Sequence, residues 1–225
     1  MIDILFLAHG RVEFTVASLK ALNAHTDWNR ARLIYAAVGS GYPMEQGPVA
    51  VMNHFLSQEG DATFAKIDND VIVPPGWLEQ CLSVMDAHPE LDLLGIEPPA
   101  SRTRAPWKAV VPPAPELNGR HVINGNGKLG YAPCEAIGGV GLMRRRAFES
   151  KAMPPVGLYG GFTAWQYAHS EVRKGWIVPP LNLFLLDRLP VEPWASLSRQ
   201  YVDAGQQRHW TRYDPKDSAL WEWWL

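Results

Sequence analysis

Hydrophobic positions along the chain fall into short blocks separated by turn-forming residues. Ile2–Ala8 is a nearly continuous apolar run, the pattern of a central strand covered on both faces. His9-Gly10-Arg11 breaks it. Val12, Val16, Leu19 and Leu22 then recur at helical spacing and predict an amphipathic helix over about 12–24. Residues 33–38 form a second apolar strand, closed by the turn signal Gly39-Ser40-Gly41-Tyr42-Pro43. Val49, Met52, Phe55 and Leu56 mark a second helix, and 63–67 a third strand that runs directly into Asp68-Asn69-Asp70. Pro74-Pro75-Gly76 follows, with Pro75 placed to open a helix whose apolar face is Trp77, Leu78, Cys81, Leu82 and Met85. Residues 91–96 are a fourth strand.

Strand–helix–strand alternation with short connections predicts an α/β domain, a mostly parallel sheet with helices on both faces. From 97 to about 130 the chain is rich in Pro, Gly, Asn and Arg and loses its periodicity. A loop of that length in a compact domain is commonly functional, and an ordering lid is one role expected there. A buried strand resumes at 138–143. Phe162, Trp165, His169 and Val172 form a further helical stripe, ended by Gly175, before an apolar stretch over 177–186. Beyond 190, Trp194, Trp210, Trp221, Trp223 and Trp224 stand among polar residues. The expected organisation is one domain over 1–190 and an aromatic extension over 191–225 that packs on it.

Composition narrows the function classes. Hydrophobic residues are 47% and charged residues 20% of the 225, enough apolar surface for a core and against wholesale disorder. A net charge of -2 supplies no basic field to attract nucleic acid or an anionic membrane. Cys81 and Cys134 fit neither a metal-knuckle spacing nor a disulfide framework, and Cys81 reads as a small buried side chain. The amino-terminal run lacks a basic segment and a long apolar core, so it reads as a strand rather than a signal peptide. No stretch reaches the ~18 apolar residues of a membrane span. A cytoplasmic protein without stable membrane insertion is expected.

Asp68 and Asp70 carry the strongest chemical signal. Positions two apart in an extended segment point to one side, and these follow a predicted strand at the end where open α/β sheets bind ligands. Two hard oxygen donors there suit Mg2+ or Mn2+. The plain alternative is a solvated Asp-x-Asp turn, which is common on its own.

The run Phe64-Ala-Lys-Ile-Asp-Asn-Asp-Val-Ile-Val-Pro-Pro-Gly-Trp-Leu resembles the DxD segment of GT-A glycosyltransferases, family-2-like members especially. Ile4-Leu-Phe-Leu-Ala-His-Gly-Arg-Val-Glu-Phe-Thr resembles the opening strand and nucleotide loop of that family. Gly138-Gly-Val-Gly-Leu-Met-Arg-Arg resembles its glycine-rich strand on the acceptor side. The resemblance spans about 1–190. It implies a GT-A (Rossmann-like) three-layer sandwich and transfer of a sugar from a nucleotide-diphosphate donor to an acceptor hydroxyl. Asp70 would bind the metal, and Asp68 would reach the ribose or the metal through water. His9, Gly10 and Arg11 would line the nucleotide pocket. Asp187 would complete the metal shell, with Arg188 on phosphate, although a surface ion pair explains those two equally well.

The chain also departs from the family. Inverting members place an acidic pair at the helix after a glycine-rich loop, and Tyr159-Gly-Gly-Phe-Thr-Ala-Trp-Gln offers no carboxylate. A substitute base, with His169 and Glu171 as candidates, or retention of configuration would answer this, and the pattern leans towards retention. Glu135, Asn124 and Asn126 are candidate sugar contacts, although the two asparagines suit tight turns. Arg144-Arg145-Arg146 reads first as a solvated helix start and second as a contact for a phosphate-bearing acceptor. Two other readings stand beside the enzyme: a non-catalytic sugar- or nucleotide-binding or assembly protein, and a nucleotidyltransferase, for which the loop after the first strand is too short. The acceptor (glycan, protein or modified nucleic acid) and association with a second copy are left open.

Overall fold

The computed structural model describes residues 1–8, 10–96, 122–123, 129–153, 161–178, 181 and 184–185, with single positions between 193 and 200. In chain order the elements are β1 (Ile2–Ala8), α1 (Val12–His25), β2 (Ala31–Ala37), α2 (Pro48–Ser57), β3 (Thr63–Asp68), β4 (Val71–Ile72), α3 (Trp77–Ala87), β5 (Leu93–Gly95), β6 (Val122–Ile123), β7 (Gly130–Pro133), β8 (Gly141–Arg144), α4 (Gly161–Ala168), β9 (Lys174–Val178) and β10 (Phe184–Leu185). Eight strands form one sheet in the order β2-β1-β3-β8-β5-β9-β7-β6. β7 and β8 run against the rest, so the sheet is mostly parallel with antiparallel insertions. β4 and β10 pair separately, Leu185 opposite Val71.

Strand alternation sorts the core into two faces. Ile4, Phe6, Ala65 and Ile67 point to one face and pack with Leu22 of α1 and with Trp77, Leu78 and Cys81 of α3. Leu5, Leu7 and Phe64 point to the other and pack with Val49, Met52 and Phe55 of α2 and with Trp165 of α4. Both clusters consist of buried residues, each large apolar side chain contributing about 1.5–3 kcal/mol relative to exposure. This is the three-layer α/β architecture, a mostly parallel sheet with helices on both faces, expected from the sequence.

Three expectations are revised. Val12 and Val16 do not face the core: they are exposed, and α1 instead buries Phe14, Thr15, Ser18, Ala21 and Leu22. The helix is turned so that two small polar side chains meet the loop after β3, a contact that hydrophobic periodicity cannot register. Gly175 does not end a helix; it lies inside β9, where a Cβ would strike the Tyr131 ring. The arginine run does open a short 3₁₀ helix over Arg145–Phe148, with Arg146 exposed, but its other two side chains are not solvated. Arg144 donates to the Leu91 and Met85 carbonyls. Arg145 donates to the carbonyls of Phe55, Leu56, Gln58 and Asp61 and lies over the Phe55 ring at 4.4 Å. That guanidinium caps the carboxyl end of α2 and pins it to the sheet.

β8 is wedged between β3 and β5, and at Gly141 the approach leaves no room for a side chain. A Cβ there would collide with the Leu94 main-chain oxygen. Since that atom belongs to a paired strand, it cannot rotate away. Gly141→Ala is therefore expected to lower unfolding free energy by at least about 2 kcal/mol, read as a shift in denaturant midpoint at unchanged m-value; a wild-type midpoint would mean that the strands separate freely here.

Candidate functional site

Asp68 ends β3 and lies opposite Leu7 near the end of β1. The segments leaving these two parallel strands, Gly10-Arg11 and Asn69-Asp70, therefore emerge at the same end of the sheet. Gly10 and Arg11 both adopt left-handed backbone, φ 57° and 49°. Glycine does so freely, whereas a residue with a Cβ is strained by about 1–2 kcal/mol. No side chain caps α1, and Thr15 N–H donates to the Arg11 carbonyl at 2.9 Å.

The contacts that hold Arg11 in this turn come from the loop after β3. Asn69 is buried. Its Nδ2 donates to the Gly10 carbonyl at 3.1 Å and to Thr15 Oγ1 at 2.9 Å, and its Oδ1 accepts from Arg11 Nη2 at 3.4 Å. Ser18 Oγ donates to the Asn69 carbonyl at 2.9 Å. Arg11 Nη2 pairs with Asp70 Oδ2 at 3.0 Å, both side chains largely shielded from water, and the guanidinium lies 5.2 Å from the Phe14 ring. The nucleotide-loop and DxD segments named from the sequence are thus laced together.

Asp68 belongs to a second pair. Lys66, two residues earlier in β3, is buried, and its Nζ donates to Asp68 Oδ1 at 2.6 Å and to the Gly139 carbonyl at 2.7 Å. Gly139 precedes β8 and has no spare volume, since Asp68 Oδ2 lies 2.6 Å from where its Cβ would be. Close by, the fully buried Gln166 of α4 accepts from the Ile137 N–H at 2.7 Å and donates to the Ile137 carbonyl at 3.1 Å. The glycine-rich segment before β8 is therefore held from both sides.

The alternation that would place both carboxylates on one side stops at Asp68, because Asn69 and Asp70 form a turn. Each acid engages a different cation instead. His169 and Glu171 are not brought to this site. Lys174 at the start of β9 is level with Leu93, Met143 and hence Phe64, so the residues before it lie at the end of the sheet where β3 begins. There Lys151 pairs with Glu171 at 2.9 Å and His169 Nδ1 approaches it at 3.1 Å. Hydrogen bonding by Lys151 foremost holds the Glu171 carboxyl down at about 2. Glu135 is exposed. His9, Asp187, Arg188, Asn124 and Asn126 lie outside the described residues, as do most of the loop over 97–130 and of the extension over 191–225. Among the described residues no three His, Cys, Asp or Glu gather as a metal-binding group, and no helix is long and apolar enough to cross a membrane.

Sequence reasoning passed over Thr15, Ser18, Lys66 and Gln166. Lys66 did leave a signal, a charge inside an otherwise apolar strand, two positions before a carboxylate. The others are polar residues within helices and left none.

No protein-family model matches the chain and no curated protein does. Solved structures do match. The S. aureus TarS fragment 1–349 superposes with a TM-score of 0.55 at 9% identity, covering 98% of this chain and 77% of that one. The same fragment in complex with UDP gives 0.54 at 10% identity, with 98% and 78% coverage. At such identities the likeness is one of fold, and it extends over nearly the whole chain.

Asn69→Ala deletes two donations from a buried loop junction and leaves the Gly10 carbonyl with only the longer bond from Thr15 Oγ1. A loss of about 1–3 kcal/mol in unfolding free energy is expected, with hydrogen exchange at Thr15 accelerated; unchanged exchange would show that the loops are held by other means. Glu171→Gln should leave the strand-end site unaltered, with nucleotide titrations superimposable on the wild type. Because folding depresses this carboxyl from 4.5 to about 2, its stabilising contribution is full above 4.5 and fades as pH falls towards 2. The variant should therefore lose the corresponding part of the acid-range slope of stability, small for so exposed a pair.

Proposed function

We propose that the chain is a glycosyltransferase that takes a nucleotide-diphosphate sugar with Mn2+ or Mg2+ at the carboxyl end of β3 and passes the sugar to an acceptor hydroxyl. The observation that carries this reading is the junction of Asp68-Asn69-Asp70 with Gly10-Arg11. It sets Asp70 against a guanidinium, with Asp68 two residues earlier on its own counter-ion Lys66, where open α/β sheets bind their ligands, on a fold shared with a protein solved in complex with UDP.

The donor set fits such a cation in kind. Asp68 and Asp70 offer hard oxygens, the kind of donor that Mg2+ and Mn2+ take alongside phosphate oxygens and water. Bound there, the cation would supply charge stabilisation for the departing diphosphate. Arg11 adds a preorganised positive charge beside Asp70, held by Asn69 and by its stacking on Phe14, so little reorganisation is needed as negative charge builds on the leaving group. Gln166 and Lys66 fix the glycine-rich segment before β8, which the resemblance assigns to the acceptor side. Asp187 and Arg188 are proposed to complete the metal shell and touch phosphate; they follow Leu185, which pairs with Val71 directly after Asp70.

One observation favours a second reading. The first turn of α4 carries no acid, and Gln166 is committed to the Ile137 backbone. His169 and Glu171 at the far end of the sheet receive no role. Retention of configuration, or donor binding without turnover by a non-catalytic protein, accounts for a helix without a base.

Calorimetric titration of UDP and GDP, with and without Mn2+, on wild type and Asp70→Ala tests the proposal. Metal-dependent binding of one nucleotide, weakened at least about tenfold in the variant, is expected. Equal binding by the variant removes Asp70 from the site. Metal-dependent hydrolysis of the matching nucleotide sugar then separates the enzyme from the binding protein.

A further inference from the structure

Lys66 is an odd residue to find in the middle of β3. Its neighbours Ala65 and Ile67 are fully buried core, and its own side chain retains 6% exposure. Desolvating an ammonium is tolerable only against a compensating charge. That charge is Asp68, at 2.6 Å. The Gly139 carbonyl takes a second ammonium proton, and Lys66 Nζ and Asp68 Oδ2 pack against the face of Gly139, 3.2 and 2.6 Å from its absent Cβ, so the ammonium is enclosed while the carboxylate stays partly open to solvent. A cation arriving at Asp68 must share the carboxylate with Lys66, because expelling the ammonium would strand a buried charge.

We propose that Lys66 is the resident counter-ion of Asp68 and makes the strand-end site a weak binder of a divalent cation alone, so that cation and nucleoside diphosphate are taken up together. This rests on the reading of the site as a nucleotide-sugar site. The argument is one of charge. Asp68 is already balanced by Lys66, and Asp70 faces Arg11, so a lone divalent ion meets two carboxylates whose fields are largely cancelled and feels repulsion from an ammonium a few ångströms away. A nucleoside diphosphate brings the missing negative charge. Once it is present the cation is held between phosphate and carboxylate oxygens, while Arg11 is positioned to face phosphate. Lys66 is a positioning residue here: it touches Asp68 and not the donor.

The test is Mn2+ binding to the full chain, followed by electron paramagnetic resonance of free Mn2+, with and without saturating UDP and corrected for Mn2+·UDP in protein-free solution. Wild type should bind Mn2+ weakly alone and at least about tenfold more tightly with UDP. Lys66→Gln, which keeps a donor for the Gly139 carbonyl but drops the charge, should bind Mn2+ alone about tenfold more tightly than wild type. Lys66→Arg should behave as wild type. A purely structural role for Lys66 predicts the opposite sign, since loosening Asp68 weakens the site. Lys66→Gln binding Mn2+ no better than wild type overturns the inference, as does tight Mn2+ binding by wild type indifferent to UDP. Should the glutamine variant fail to fold by circular dichroism, the wild-type arms decide alone. If wild type takes neither Mn2+ nor UDP even together, the reading of the site falls and the inference with it. If both bind together and Lys66→Gln gains nothing, only the inference falls.

Discussion

An amide buried at the carboxyl end of a sheet has to find partners for two donors and an acceptor, and at Asn69 it finds them in the opposite loop and the first turn of α1. Its hydrogen bonds to the Gly10 carbonyl, Thr15 and Arg11 turn two independent strand exits into one rigid junction. The rotation of α1 follows from this: Thr15 and Ser18 face inwards because Asn69 needs them there, and Val12 and Val16 are left in solvent as a result. The placement of Arg11 against Asp70 follows as well. A charged pair so little hydrated is stable only while both members are held in register, and the amide between them sets that register.

The opposite end of the sheet is organised by different means. There Arg145 gathers four carbonyls at the end of α2, and Arg144 ties β8 to the loop before β5. These guanidinium groups satisfy backbone acceptors that burial would otherwise leave unpaired. That end also carries ion pairs, Arg146 with Asp92 and Arg32 with Asp3, but Arg144 and Arg145 donate mainly to peptide groups, whereas Arg11 and Lys66 at the strand exits are held against carboxylates. A carboxylate can exchange its partner for an incoming ion, whereas a helix carbonyl has no such competitor.

Much of the scaffold was legible from the chain alone. The first four apolar blocks became β1, β2, β3 and β5, since an uninterrupted run bounded by turn residues has few other solutions. The DxD segment stood out because two acids ended such a run. What stayed hidden were contacts between polar residues distant in sequence: Asn69 with Thr15 and Ser18, Gln166 with Ile137. No periodicity encodes them, and each polar residue in a helix looks like a solvated one until its neighbour is known. Glycine misled in the same way. Gly175 punctuates the pattern as a helix stop would, but it is there to let Tyr131 close over β9. The two-residue pairing of β4 with β10 was equally invisible, being too short to leave an alternation.

Arg11 stands under two demands that no single amino acid meets. Its backbone asks for glycine, the residue at ease at φ 49°; its side chain must reach Asp70 and offer a planar, permanently charged fork, which only arginine provides. The chain resolves the conflict in favour of the side chain and accepts a strained main chain in the loop after β1. Drift towards a more stable protein would pull this position towards glycine, and only selection for what the guanidinium does can hold it where it is.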